Sequence, residues 1–153
     1  MLKNIGKIEV EMNMNKLITK AKNLATKKII LTDEEMQKVE SVLDIILPGD
    51  FKEINKKLGY ESFLFFEFFS FDMGVINKTK TWRKTIDLPN QYLVLSDDGE
   101  SAVLLNTQDA NNSTVIWCSL EDVLNLCSGK TMKYSPTIFK SFTDFYNFLL
   151  TRV

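Results

Sequence analysis

The stretch Tyr92-Leu-Val-Leu-Ser-Asp-Asp-Gly-Glu-Ser-Ala-Val-Leu-Leu105 decides the fold of this chain. Two short apolar runs flank an Asp-Asp-Gly-Glu segment in its middle. A glycine after aspartate supplies the positive φ that a tight turn requires, so the stretch predicts two antiparallel strands joined by a turn. The run Thr114-Val-Ile-Trp-Cys118 predicts the next strand of the same sheet.

Helices are predicted before these strands. Thr32-Asp-Glu-Glu35 has the pattern of a capping box, in which the first and last residues exchange hydrogen bonds with each other's backbone amides. Pro48 suits the first position of a second helix, and residues 75–85 predict a third. The apolar face of the first helix is expected to hold Met36, Val39, Leu43 and Ile46, and that of the second Phe51, Ile54 and Leu58.

Two more helices are predicted after the strands, with Ser119 and Ser141 as their N-caps. The helix after Ser119 has Leu120, Val123, Leu124 and Cys127 on its apolar face, and the helix after Ser141 has Phe142, Phe145, Tyr146, Leu149 and Leu150. The strands cluster and the helices flank them. We therefore expect an α+β fold, a single domain with a twisted, mainly antiparallel sheet of about four or more strands flanked by N-terminal and C-terminal helices.

Two segments lie outside this pattern. The aromatic run at residues 62–71 is short and predicts a strand that is covered on both faces. Residues 1–30 hold seven lysines and two glutamates, with a helical stripe of Val10, Met14, Leu17, Ile18 and Ala21. We interpret residues 1–30 as a helical extension that packs on a domain spanning 31–153, although a basic amphipathic helix can also bind membranes.

Composition excludes several kinds of active site. The 153 residues include no histidine, which removes His-dependent nucleophilic sites and histidine metal sites. The two cysteines, Cys118 and Cys127, cannot complete a structural zinc site on their own. No phosphate-binding loop is present. We expect no catalytic residue, no metal and no cofactor, and the free cysteines without a signal peptide predict a cytoplasmic protein. The oligomeric state stays open.

The acidic residues are unevenly distributed. From Thr85 to Gly129 there is no Lys or Arg, while seven acids occur: Asp87, Asp97, Asp98, Glu100, Asp109, Glu121 and Asp122. This charge disfavours nucleic-acid binding, since phosphate contacts need cations. It is either a solvated face or a docking surface for a basic protein. We take Asp97, Asp98, Glu100, Asp109, Glu121 and Asp122 as candidate partner-binding residues.

The three acids of the turn, and a further candidate, Trp82, have competing explanations. Asp97, Asp98 and Glu100 offer carboxylates to a cation, but turn chemistry already accounts for Asp-Asp-Gly. Trp82 is a candidate interface anchor because Trp dominates binding hot spots, and a core position is the alternative.

The motifs in order resemble those of the SUKH superfamily, which holds fungal Smi/Knr-type cell-wall regulators and many bacterial immunity proteins. The resemblance covers about residues 30–150. It is carried by Thr32-Asp-Glu-Glu35, Leu47-Pro48 with Phe51, Thr79-x-x-Trp82-Arg83, Leu88-Pro89, the stretch from Tyr92 to Gly99, Ala102-Val-Leu-Leu105 and Ser141-Phe142-x-x-Phe145.

The resemblance implies a helix-flanked sheet used for protein binding. In bacteria it implies an immunity protein that neutralises a toxin, often a nuclease, by blocking its active site. An acidic face can occupy the basic substrate groove of such a toxin in place of phosphates. The alternatives are a regulatory adaptor of the same fold and an enzyme that works with carboxylates alone.

Overall fold

A computed structural model describes residues 30–57, 73–108 and 113–151. The helices in these ranges are α1 (Asp33–Leu43), α2 (Gly49–Lys57), α3 (Met73–Thr85), α4 (Leu120–Cys127) and α5 (Phe142–Thr151). The strands are β1 (Tyr92–Asp97), β2 (Ser101–Asn106), β3 (Val115–Ser119) and β4 (Thr137–Phe139). They form one open antiparallel sheet in the order β1-β2-β3-β4. The expected α+β fold is confirmed.

Strands β1, β2 and β3 are buried on both faces of the sheet. One face packs against α1, α2 and α5 through Leu93, Leu95, Val103, Leu105 and Val115. The other face packs against α4 and the chain before β1. Its buried residues, which we call the second core, include Tyr92, Val94, Ala102, Leu104, Ile116 and Cys118. Burial on both faces explains why the strands are continuous apolar runs and do not alternate with polar residues.

Helix α5 covers the first face with the apolar stripe that its sequence predicts. All five stripe residues are buried: Phe142, Phe145, Tyr146, Leu149 and Leu150. The ring of Phe142 meets that of Phe51 on α2 edge-on, with 4.7 Å between centroids. Half-buried Trp117 on β3 meets Phe145 edge-on at 6.2 Å. Edge-to-face ring pairs add to the stability that area burial provides.

A carboxylate fastens α5 to α2. Asp50, in the first turn of α2, accepts hydrogen bonds from the Thr143 amide at 3.1 Å and from the Thr143 hydroxyl at 3.3 Å. It also accepts from the Ser113 hydroxyl at 2.9 Å. Thr143 lies in the first turn of α5, where a negative charge is favoured by the helix dipole. Asp50 therefore joins three segments that are distant in sequence.

Helix α3 protects the outer edge of β1. The Thr79 hydroxyl accepts a hydrogen bond from the Val94 amide at 3.1 Å, which satisfies an edge-strand donor. The Arg83 guanidinium donates to the carbonyls of Leu43 at 2.8 Å and Asn90 at 2.7 Å. Covered edges resist pairing with other chains. Thr79 and Arg83 thus attach α3 to the end of α1 and to the region around the start of β1.

Local signals were largely confirmed. The Thr32–Glu35 capping box is present, and Ser119 and Ser141 accept from the amides of Asp122 at 3.2 Å and Asp144 at 3.1 Å. Gly99 has φ +90°, as the turn requires. Three predictions lie outside the described residues: the strand at residues 62–71, the burial of Leu58, and the extension at 1–30 apart from Ile30.

Two expectations were wrong. Ile46 is 67% exposed because α1 ends at Leu43, where Asp44 adopts a left-handed conformation with φ 53°. Strand β4 was missed because its three residues give no periodic pattern, and it forms by pairing with β3.

None of the helices within the described ranges has the length and apolar character needed to cross a bilayer.

Replacing Asp50 tests its role as a fastener. Asp50→Ala is expected to lower the free energy of unfolding by about 2–3 kcal/mol, because charged hydrogen bonds to α5 and Ser113 are lost. Urea denaturation measures the change. Glu53→Ala, which removes an exposed ion pair of the same helix with Lys57, is the control and should cost only about 0.3–0.5 kcal/mol. Equal effects of the two substitutions would contradict the role.

Candidate functional site

Three of the predicted acids meet at one end of the sheet. Ser101 at the start of β2 lies opposite Ser119 at the end of β3, so the β1–β2 turn and the start of α4 are neighbours. The Leu120 amide donates to the Glu100 carbonyl at 3.1 Å, which joins the two segments directly. Asp98, Glu100 and Glu121 are all exposed there. We refer to these three residues as the acidic end.

Asp97 lies beside the acidic end, but its charge is paired. A β-bulge between Val94 and Ser96 shifts the register of β1, so Asp97 pairs with Ala102 of the second core. Its carboxylate lies 3.2 Å from the Lys78 ammonium on α3 and is only 14% exposed. It also accepts from the Gly99 amide at 2.9 Å. The fold thus supplies a cation that the surrounding sequence lacks.

Asp98 shapes the turn and remains charged. Its carboxylate accepts from the amides of Ser101 at 2.7 Å and Glu100 at 2.9 Å. These backbone hydrogen bonds, that of Ser101 first, lower the pKa of Asp98 below its ordinary value. Turn chemistry therefore explains why an aspartate stands here. Its exposure still leaves the negative charge facing solvent.

Asp122 requires a correction, because it is not a surface charge. Its side chain is 0% exposed and accepts from the amides of Lys133 at 2.7 Å and Tyr134 at 2.9 Å. Asn125 donates to it at 3.1 Å. Burial favours the neutral acid, but these hydrogen bonds outweigh it and lower the pKa of Asp122. Asp122 ties α4 to the chain that leads to β4.

The remaining two candidates are Asp109 and Trp82, and the structure describes only Trp82. Asp109 lies outside the described residues. Trp82 is half-buried on α3 and packs against the second core, and the Lys78 ammonium lies 5.7 Å from its ring centroid. A cation over an indole ring is an attractive arrangement. Trp82 and Asp97 thus share Lys78, and Trp82 contributes mainly to the attachment of α3.

Three exposed apolar side chains on α4 and in the chain from α4 through β4 were missed by sequence reasoning. Leu124 is 51% exposed, Tyr134 is 59% exposed and Ile138 is 56% exposed. Leu124 belongs to the predicted apolar face of α4, yet Val123 alone of that face is fully buried in the core. The Glu121 carboxylate, as a hydrogen-bond acceptor and through its negative charge, raises the pKa of the Tyr134 hydroxyl.

Catalytic chemistry finds little support in the described ranges. No cluster of three metal-ligating side chains occurs among those residues. Burial raises the pKa of the Cys118 thiol to about 11, so this sulfur is a poor nucleophile. An open cleft of about 410 Å³ lies at the opposite end of the sheet from the acidic end. It is lined by Asp44, Ile45, Ile46, Asn90, Gln91, Thr107 and Gln108, which include one carboxylate and no base to pair with it.

Comparison with known families agrees with the fold. The model of the SUKH_5 family, described as SMI1-KNR4 cell-wall, matches residues 11–145. The chain therefore belongs to the SUKH family. The match begins inside the predicted extension, so the family region reaches further toward the N-terminus than the resemblance from residue 30. Among curated proteins none matches the chain.

The buried carboxylate of Asp122 gives a pH-dependent prediction. An aspartate whose pKa is lowered by folding stabilises the fold above its unfolded pKa of about 3.9, and this is lost as the pH falls through the folded pKa. In Asp122→Asn one carboxylate oxygen is replaced by an NH2 donor, so only one of the Lys133 and Tyr134 amides keeps its acceptor. The substitution is expected to lower the melting temperature near pH 7.

The difference from the unsubstituted protein should narrow below about pH 4, where the carboxyl of the unfolded chain becomes protonated, and disappear below the lower pKa of the folded state. Thermal unfolding followed by circular dichroism from pH 2 to pH 8 measures it. Glu121→Gln, one residue away and exposed, is the matched control with little expected change. A melting temperature that is unaffected by Asp122→Asn at neutral pH would contradict the assignment.

Proposed function

We propose that this protein is a non-catalytic immunity protein that neutralises a cognate protein toxin by binding it through the acidic end. The observation that carries the proposal is the grouping of Asp98, Glu100 and Glu121 on one exposed end of the sheet. Within the described part of the chain, none of these carboxylates forms an ion pair. Exposed carboxylates without an ion-pair partner can form ion pairs with cationic groups of a binding protein.

Family membership supports the same function. The SUKH family is known for toxin-immunity proteins, which are generally not enzymes. A nuclease toxin has a basic groove for the phosphates of its substrate, and the acidic end offers that groove an alternative set of negative charges. The proposed mechanism is occlusion, in which the bound immunity protein excludes nucleic acid from the toxin active site.

A co-expression experiment tests the function. The C-terminal domain of a toxin-like gene adjacent to the gene of this protein is expressed with and without the protein, and growth of the host is followed. Restored growth and a 1:1 complex in size-exclusion chromatography are expected. Toxicity that persists despite expression of both proteins would contradict the immunity function and favour the regulatory adaptor.

Charge reversal tests the surface. Glu100→Lys with Glu121→Lys is expected to slow association with the toxin domain about tenfold or more at low ionic strength, because electrostatic steering is lost. The difference in association rate should shrink as salt is added, because the Debye length falls to about 8 Å at physiological ionic strength and the charges are then screened. Surface plasmon resonance over a range of salt concentrations measures the association rate.

A second double variant controls for net charge. Glu34 on α1 and Glu53 on α2 are exposed acids on the other side of the sheet. Glu34→Lys with Glu53→Lys changes the net charge by the same amount and should leave the salt dependence nearly unchanged. Equal slowing by both double variants would show that total charge, and not the acidic end, governs association.

A further inference from the structure

We propose that Leu124, Tyr134 and Ile138 form the apolar centre of the partner-binding surface, bordered by the acidic end. The inference rests on the proposed function and deepens it. The partner it fits is a protein that presents an apolar depression with Lys or Arg side chains along one side. The apolar centre would supply most of the affinity, and the acids would supply orientation and rate.

The three apolar residues lie on the same side of the sheet. Ile138 on β4 is directly opposite Ile116 on β3, and Ile116 belongs to the core beneath α4. Side chains of directly opposed residues in an antiparallel pair project to the same face. Ile138 therefore emerges on the α4 side, next to the core that α4 covers. Its 56% exposure shows that α4 does not reach over it.

Leu124 and Tyr134 continue this surface toward the acids. Leu124 is three residues after Glu121 on α4, so the two side chains are neighbours on one helix face. Tyr134 follows Lys133 in the chain that Asp122 holds against the start of α4, through hydrogen bonds from the backbone amides of both residues. The backbone of Tyr134 is thus held in place before any partner arrives.

The surface has the composition that binding centres favour. Tyr is enriched at hot spots because it offers a large apolar area with few rotatable bonds. More than half of each of these residues is exposed, so packing of the core does not require them to be apolar. Lys133 flanks Tyr134 and offsets charge there. The cationic groups of the partner are therefore expected opposite Glu100 and Asp98.

The test compares two triple variants in binding to the purified toxin domain. Leu124→Ser, Tyr134→Ala and Ile138→Ser together are expected to weaken binding at least tenfold, mainly through faster dissociation. The dependence of association on salt should stay as in the unsubstituted protein, because the acids are retained. Ile30→Ser, Val42→Ser and Ile46→Ser remove three exposed apolar residues at and near α1 and serve as the control.

The outcomes separate the inference from the proposed function. Circular dichroism and melting temperature should be unchanged in both triple variants. If the unsubstituted protein neutralises the toxin and the first variant dissociates no faster than the control, the apolar centre is wrong while the function stands. If the unsubstituted protein does not bind the toxin, both fall. A dimer in sedimentation that only the first variant abolishes would assign the surface to a second copy and overturn the inference.

Discussion

The buried carboxylate of Asp122 is the contact on which the candidate surface depends. It sits in the first turn of α4 and holds the amides of Lys133 and Tyr134, so it fixes the chain that runs from α4 to β4. A buried carboxylate needs such donors, because leaving it unsatisfied is costly. The same contact that stabilises this connection also places Tyr134 beside Glu121. Stability and surface shape are coupled at one residue.

The motifs that carry the family resemblance have mostly structural explanations. Thr79 accepts a hydrogen bond from a backbone amide of β1, and Trp82 packs on the second core. Arg83 donates to the carbonyl of the last residue of α1 and to a carbonyl just before β1. These contacts keep a sheet with an open edge from pairing with other chains. Family membership therefore identifies the scaffold. The proposed partner contacts lie on exposed residues that these structural motifs do not include.

Sequence alone predicted the features that depend on local chemistry. The Asp-Gly turn, the capping box at Thr32 and the stripe of α5 each follow from neighbouring residues and a helical or strand period. Strand β4 was not predictable in this way, because three residues acquire their conformation only by pairing with β3. Its formation depends on a contact that no local pattern encodes.

The candidate site was predicted in part for the same reason. A run of acids without cations indicated a charged surface. Residues that are distant in sequence can still neutralise such acids, and folding can bury them. The β-bulge shifts the register of β1, and Asp97 forms an ion pair with Lys78. Asp122 is buried and accepts hydrogen bonds from backbone amides. Glu100 and Glu121 come together only because β2 and β3 are antiparallel neighbours. The exposure of Ile138 depends on how far α4 reaches across the sheet.

Hydrogen–deuterium exchange of this protein, with and without the toxin domain, tests the central claim most directly. Amide protection on binding reports where the partner contacts the chain, without any substitution. The account predicts new protection at residues 98–101, 120–125 and 132–139, with α1 and α2 unchanged. Protection confined to α1 and α2, or to the cleft lined by Asp44 and Gln108, would contradict it.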